Sequence, residues 1–385
     1  MKIKTPLLLI LSTLVLITMA CAFLTLGSAE PSPEPTLTIL VPSATVTVVP
    51  PTSTPNPPSP TPTLTVPSID SGNLQRLNTI WEFTVPGDSF RSAAFSPDNQ
   101  SLAAGTGMNQ TSQDQKLRLW DVKTGILQAE SEKLYAIIWD LRYTPNGNLI
   151  AVALDNATVE MRNAADLSLV YRIEYQGAVN SLSISPDGTK LAAGVASGEG
   201  GVVSIRNIVS GEMLVEFWAH PYSVPGMDFS PDGTLLATGA IDRSVKIWNS
   251  QTGELLQTLP QAAQGTAVKF SPDGSLLASG HCGGSINTIC QKGTITLWNT
   301  DNWQIFKTLD GAQDWVDGVA FSTDRSVLAG LSRDGFIYFW RISDGILLQK
   351  IQVSYFKPEV LSISNDGRYL ATGAGENLKT WRVNP

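Results

Sequence analysis

A four-residue pattern recurs seven times along the chain, and this repetition limits the possible folds more than any other property of the sequence. Each copy places an apolar or aromatic residue before Ser or Thr, and most copies continue into Pro, Asp or Asn, and Gly. An apolar strand end with this turn chemistry, followed by a second apolar run, predicts a β-hairpin. The copies begin at Phe95, Tyr143, Ile184, Phe229, Phe270, Phe321 and Ile363.

A second marker ends an alternating apolar stretch in every repeat, as in Val245 to Trp248. Such alternation predicts a strand with one face buried. The repeat length of roughly 44 residues lies within the range expected for a four-stranded propeller blade. The marker positions are Trp120, Arg162, Arg206, Trp248, Trp298, Trp340 and Trp381.

The two markers together resemble those of the WD-repeat β-propeller family, and the resemblance covers essentially all of residues 74–385. It implies an all-β fold, a seven-bladed propeller of four-stranded antiparallel blades. The sequence departs from the family pattern in places. The literal Trp-Asp pair occurs once, at Trp120 and Asp121, and the usual Gly-His is represented by Ala219 and His220.

The resemblance also implies one hydrogen-bonded tetrad that holds a blade together. In the family such a tetrad combines a His, a Ser or Thr, an Asp and the repeat's Trp. We expect it to be structural rather than a catalytic His-Asp arrangement. The residues that match are His220, Thr238, Asp242 and Trp248.

The two ends of the repeat region predict how the ring closes. The last repeat ends after its third strand, Asn377 to Val383, so its blade lacks one strand. Leu77 to Phe83 alternates like the fourth strands of the other repeats. We therefore expect this N-terminal segment to complete the last blade, which leaves no open interface between the first and last blades.

Residues 1–29 predict a signal peptide or a membrane anchor. Lys2 and Lys4 precede an uncharged, largely apolar run from Leu7 to Leu26. A charged start before an apolar run is typical of a secretory signal, and this run is also long enough to span a bilayer uncleaved. The segment ending at Cys21 resembles a bacterial lipoprotein cleavage site, which makes Cys21 a candidate for lipidation. Cleavage after Ala29 and free secretion is the alternative.

Residues 30–73 predict a disordered stalk rich in Pro, Thr and Ser. The segment has too few apolar residues to build a core. Runs such as Pro55 to Pro62 favour extended polyproline geometry. The segment would hold the folded head away from the envelope, with O-glycosylation of its threonines left open. A passive tether with no required length is the alternative.

Composition excludes several classes of function. Lys and Arg number 26 against 34 for Asp and Glu, and the net charge of −8 disfavours nucleic acid as a partner. Only two histidines occur, so a multi-His zinc site lacks ligands. The sequence contains neither a Gly-x-Ser-x-Gly elbow nor a phosphate-binding loop. We therefore expect a non-enzymatic protein without a cofactor or a bound metal.

Cys282 and Cys290 lie in the longest insertion between second and third strands. In an oxidising compartment, the simplest expectation is that they form a disulfide. A metal site that also uses His281 is the alternative, although it lacks a fourth ligand and the usual short spacing of cysteines.

Loops at one end of the ring provide the candidate binding surface. In WD-repeat proteins, partners commonly dock where the chain enters each first strand, a position found here by counting back from each hairpin pattern. Pro225 occupies this position in the fourth repeat. Aromatic and Arg side chains nearby are types that anchor interfaces. We name the following residues the candidate rim: Arg91, Trp139, Asn180, Tyr222, Thr266, Trp315, Asp317, Arg333, Tyr355, Phe356 and Glu359.

The sequence therefore predicts an extracytoplasmic interaction or scaffold module with a monomeric head. Its expected partner is another protein or an envelope component, and only the N-terminal part is expected to associate with a membrane. The alternatives are a hydrolase or lyase built on a propeller, since fold alone does not decide function, and a carbohydrate-binding envelope protein.

Overall fold

The computed structural model describes residues 67–107, 114–262, 264–286, 289–355 and 357–384. The predicted export signal, Cys21, the first part of the predicted stalk and Phe356 lie outside the described residues. Across these ranges we find no helix that combines the length and the apolar character needed to cross a membrane.

The described residues form twenty-eight strands and one short 3-10 turn, Leu74–Arg76. In chain order the strands are β1 (Leu77–Thr84), β2 (Phe90–Phe95), β3 (Ser101–Thr106), β4 (Leu117–Asp121), β5 (Leu127–Glu130), β6 (Ile138–Tyr143), β7 (Leu149–Leu154), β8 (Thr158–Asn163), β9 (Leu169–Glu174), β10 (Ala178–Ile184), β11 (Lys190–Ser197), β12 (Gly200–Asn207), β13 (Met213–His220), β14 (Gly226–Phe229), β15 (Leu235–Ala240), β16 (Ser244–Asn249), β17 (Leu255–Pro260), β18 (Gly265–Phe270), β19 (Leu276–Ile286), β20 (Ile289–Asn299), β21 (Ile305–Ala312), β22 (Val316–Phe321), β23 (Val327–Ser332), β24 (Phe336–Arg341), β25 (Leu347–Gln352), β26 (Pro358–Ile363), β27 (Tyr369–Ala374) and β28 (Asn377–Val383).

These strands form seven antiparallel four-stranded sheets. Blades 1 to 6 are the consecutive groups β2–β5, β6–β9, β10–β13, β14–β17, β18–β21 and β22–β25, and blade 7 contains β26–β28 and β1. The first strand of every blade lines a central channel and contacts the first strand of both neighbouring blades, including β26 against β2. The predicted seven-bladed propeller is confirmed.

The N-terminal strand closes the ring. β1 pairs with β28 along its whole length, from Leu77 opposite Val383 to Thr84 opposite Asn377. The hydrophobic core is divided into clusters, several of which join neighbouring blades; one contains both Val159 of blade 2 and Val195 of blade 3. The predicted closure of the last blade by an N-terminal strand is consistent with this sheet.

Burial explains why the sequence pattern changes across each blade. The second strands are covered on both faces, so β3 is buried over almost its whole length and is built from small residues. The outer strands are exposed or half-buried over most of their length, and β17 has one buried residue. Burial therefore decreases from the second strand of a blade to the fourth.

The first described residues pack on one particular end of the ring, which we call the turn face because the hairpin turns between first and second strands lie there. The backbone N–H of Ile69 donates to the carbonyl of Gly367 at 2.6 Å, and that of Ser71 donates to Ser326 Oγ at 3.3 Å. Ile69 and Leu74 are both buried. The structure thus places residues 67–73, the last part of the predicted stalk, against the propeller.

Candidate interaction surface

The candidate rim lies at the end of the channel opposite the turn face, where the first strand of each blade begins. Six of these strands carry a β-bulge at the rim position, which leaves that residue out of the strand pairing. A bulge redirects a side chain without ending the sheet. All seven equivalent positions, including Pro225 just before β14, line the channel, whose volume is about 860 Å³. The bulged residues are Arg91, Trp139, Asn180, Thr266, Asp317 and Glu359.

Arg91 joins three neighbouring blades. Its Nη1 donates to both carboxylate oxygens of Glu359, at 2.8 and 2.7 Å, and its Nε donates to the carbonyl of Gly107 at 3.0 Å. The guanidinium also lies over the indole of Trp139, 5.2 Å from the ring centroid. Ion pairing and a cation–π contact thus hold the Arg91 side chain in one position.

Asp317 organises the other side of the rim in the same way. Arg333 donates to both of its carboxylate oxygens, at 2.5 Å from Nε and 3.0 Å from Nη2. The Arg333 guanidinium lies 4.7 Å from the ring centroid of Trp315. Thr266 in the neighbouring blade reaches Asp317 Oδ1 through its hydroxyl at 3.5 Å.

Lys357, which is not among the residues predicted from the sequence, connects these two groups. Its ammonium nitrogen is 3.4 Å from Asp317 Oδ2 and 3.6 Å from Glu359 Oε1. The only sequence signal was its place in the loop before the rim position Glu359. We call Arg91, Glu359, Lys357, Asp317 and Arg333 the charged arc, which extends over blades 1, 7 and 6 with an indole at each end.

The remaining rim residues do not join this network. Asn180 lines the channel, and its buried amide oxygen has no hydrogen-bond partner among the described residues. Tyr222 is exposed near blade 4. Tyr355 is 89% exposed and borders a pocket of about 960 Å³ that Arg91, Lys357 and Glu359 also line. Phe356, the last residue of the predicted rim, lies outside the described residues.

The residues of the predicted tetrad come together between blades 3 and 4, because His220 ends β13 of blade 3 and the other three residues belong to blade 4. His220 Nδ1 lies 2.8 Å from Asp242 Oδ2, and its Nε2 lies 2.8 Å from Thr238 Oγ1. Trp248 Nε1 donates to the same hydroxyl at 2.9 Å. Burial lowers the pKa of His220, although Asp242 favours its protonated form. Because His220 is fully buried, a substrate has no access to it, and the arrangement ties strands together instead.

The two cysteines lie in a long hairpin of blade 5, formed by β19 and β20. Their Cα atoms are 5.8 Å apart, within the range that a disulfide requires, and both residues are buried. In the part of the chain that the structure describes, no group of three or more His, Cys, Asp or Glu residues is placed to hold a metal ion.

A comparison with protein families identifies the repeats. The family model for the WD domain, G-beta repeat, matches residues 78–121, 168–207, 211–249, 253–299 and 303–341, which together exceed half of the chain. The chain belongs to the WD-repeat family. The first matched segment runs from β1 through β4, so a WD repeat starts in the outer strand of one blade and ends in the third strand of the next. Because of this offset, β1 belongs to the first sequence repeat but lies in blade 7, and this arrangement closes the ring.

Several curated proteins resemble this WD-repeat chain. It is 25% identical over 248 residues to the periodic tryptophan protein 2 homolog of Caenorhabditis elegans, covering 63% of this chain and 26% of that protein. It is 31% identical over 156 residues to WD repeat-containing protein SL1-17 of Schistosoma mansoni, covering 40% of this chain and 50% of that protein. It is 26% identical over 229 residues to the COMPASS component SWD3 of Saccharomyces cerevisiae, covering 57% of this chain and 69% of that protein.

The WD-repeat chain spans about a quarter and about half of the lengths of the first two of these relatives. WD-repeat propellers generally bind other proteins and act as non-catalytic scaffolds. The yeast relative is named a COMPASS component. The fold of this chain is therefore one that commonly serves as a protein-interaction scaffold.

Proposed function

We propose that this protein is a non-enzymatic scaffold that presents its rim to another protein. The observation that carries this proposal is the charged arc, in which residues from three neighbouring blades form one network of ion pairs that ends in an indole on each side. Ion pairs and ring contacts within the propeller already hold these side chains in place. Binding of another protein would therefore immobilise few additional side-chain rotamers.

The residue types of the arc also support protein recognition. Trp and Arg are enriched among the residues that dominate binding energy at interfaces. Here each guanidinium is stacked on an indole, at Arg91 with Trp139 and at Arg333 with Trp315. The pairs lie at opposite ends of the arc, so a partner that covers the channel mouth would contact both.

Replacing both indoles, Trp139→Ala with Trp315→Ala, should weaken partner binding by about tenfold or more, the loss typical of dominant interface residues. The measurement is quantitative recovery of crosslinked proteins from the native envelope with the full chain as bait. Phe306→Ala is the matched control, because Phe306 is exposed on the outer strand of blade 5 rather than on the rim. If the double variant and the control recover the same partners in equal amounts, the rim is not the binding surface.

We further propose that the protein works outside the cytoplasm, tethered to the cell envelope through its N-terminal part, with lipidation at Cys21 as the attachment. Lys2, Lys4 and the apolar run up to Leu26 support export. The distance between Cys282 and Cys290 supports a compartment in which disulfides persist. Free secretion after cleavage near Ala29 is the alternative outcome.

Cys21→Ser should abolish incorporation of a radiolabelled fatty acid into the protein, because lipidation requires the thiol. In the same cells, thiol alkylation of the denatured protein without reductant should label neither Cys282 nor Cys290, while prior reduction should allow both to be labelled; denaturation is needed because both residues are buried. Cys282→Ser with Cys290→Ser is the control for labelling at other sites. Free thiols at both positions in the native protein would contradict the proposed location.

A further inference from the structure

The carboxylates of Asp317 and Glu359, which we call the carboxylate notch, share the ammonium of Lys357 at unusually long distances. The nitrogen is 3.4 Å from one carboxylate and 3.6 Å from the other. Charge-assisted N–H···O hydrogen bonds are normally about 2.7 to 2.9 Å long. Lys357 therefore lies beside both carboxylates without forming a close hydrogen bond to either, and Arg91 and Arg333 already balance their charges.

The carboxylates and the lysine differ in how firmly they are held. Arg333 donates two hydrogen bonds to Asp317, and Arg91 donates two to Glu359. The side chains of Asp317 and Glu359 are only 14% and 20% exposed. The Lys357 side chain is 47% exposed and lies in a loop. The two carboxylates are thus fixed in position, and the ammonium beside them is the replaceable part.

We propose that the carboxylate notch binds a Lys or Arg side chain of the protein partner, which displaces Lys357. This inference rests on the proposed rim function and specifies the chemistry of the partner. The exchange replaces one cation by another, so the charge of the notch is unchanged. The pocket of about 960 Å³ beside Lys357 offers space for the displaced side chain.

The charge of the whole chain supports a cationic partner. The net charge is −8, which attracts a basic surface at long range and raises its rate of association. Tyr355 lies at the edge of the same pocket and is almost fully exposed, so its ring is available for a cation–π contact with an incoming basic side chain.

In the alternative arrangement, Lys357 itself binds an acidic partner. The two arrangements predict opposite effects of Lys357→Met on ligand affinity. If Lys357 competes with the partner's cation, then Lys357→Met empties the notch and tightens binding of a basic ligand. If Lys357 is the contact, the same substitution removes affinity for an acidic ligand. The sign of the effect therefore distinguishes the two.

The test measures the binding of fluorescein-labelled eight-residue lysine and glutamate peptides to the full chain by anisotropy. Lys357→Met should tighten lysine-peptide binding by about threefold, the scale of an exposed ion pair. Asp317→Asn with Glu359→Gln should weaken it by about tenfold or more, because two fixed charges are lost. Lys123→Met, an exposed lysine on the turn face, controls for net charge and should change binding less than twofold.

Tighter binding in Lys357→Met but not in Lys123→Met supports the proposal, and raised salt should reduce the difference. Unchanged or weaker lysine-peptide binding in Lys357→Met, or preferred binding of the glutamate peptide, would overturn it. Thermal melting of each variant shows whether it is folded. If Trp139→Ala with Trp315→Ala abolishes partner recovery while Lys357→Met has no effect on lysine-peptide binding, the proposal that the rim binds a protein is supported. The proposal that this partner is basic is then wrong.

Discussion

Deleting residues 67–84 is expected to abolish stable folding of the propeller. The deletion removes β1, which pairs with β28 along its whole length, and leaves β28 as an unpaired edge strand. It also removes the buried side chains of Ile69, Leu74 and Leu77. Losing a buried Leu or Ile side chain costs about 2 to 5 kcal/mol, so three such losses reach the whole stability of a typical domain, about 5 to 15 kcal/mol.

Size-exclusion chromatography and thermal melting check this expectation. The variant should aggregate or lose its cooperative transition. A deletion of the same length within the predicted stalk, residues 40–57, is the matched control and should melt like the intact chain, because its composition cannot build a core. A monomeric 67–84 deletion that melts at the temperature of the control would show that the ring does not depend on this strand.

Trp340→Ala should destabilise the protein by about 3 to 5 kcal/mol, the usual cost of truncating a buried Trp. Trp340 is fully buried and stacks on Tyr338 with a centroid distance of 5.7 Å. Its Nε1 donates to the carbonyl of Asp310 in blade 5 at 2.7 Å, so the residue also ties two blades together. Equilibrium urea unfolding measures the loss.

Trp218→Ala is the matched control for Trp340→Ala, because Trp218 is about half exposed, makes a cation–π contact with Lys246 and donates from Nε1 to the carbonyl of Glu199 at 3.4 Å. We expect less than about 1 kcal/mol of destabilisation from this change. Equal losses of unfolding free energy in the two variants would mean that the Trp marker has no special role in joining blades 5 and 6.

The fold was predictable from the sequence because its determinants are local and repeated. Each hairpin turn holds its own geometry, as where Ser230 Oγ donates to Asp232 and Gly233 adopts a positive φ of 72°. Seven such units at a constant spacing leave few alternatives to a ring. The missing strand of blade 7 was likewise visible, since the alternation of Leu77 to Phe83 had no other place to pair.

The charged arc was predictable only in part. Counting along each repeat located Arg91 and Glu359, but their ion pair joins residues 268 positions apart, and no local pattern indicates it. The bulges that expose the rim positions leave no clear mark in the sequence. Lys357 was missed because an isolated lysine in a loop is ordinary until the fold brings two carboxylates beside it.

Arg162 of blade 2 shows a similar limit. It occupies the position of the repeat's Trp, and the structure buries it completely. Its charge is balanced by Glu160 on the same strand and by Glu132, 30 residues earlier. The neighbouring Glu160 could have been suspected from strand alternation, whereas the contribution of Glu132 required the three-dimensional arrangement.

The docking of residues 67–73 on the turn face places this segment at the end of the channel opposite the charged arc. Residues 67–73 lie on that side, while the first strands of the blades begin at the other end of the channel. A surface that approached the turn face would therefore leave the arc, at the far end, accessible to incoming molecules.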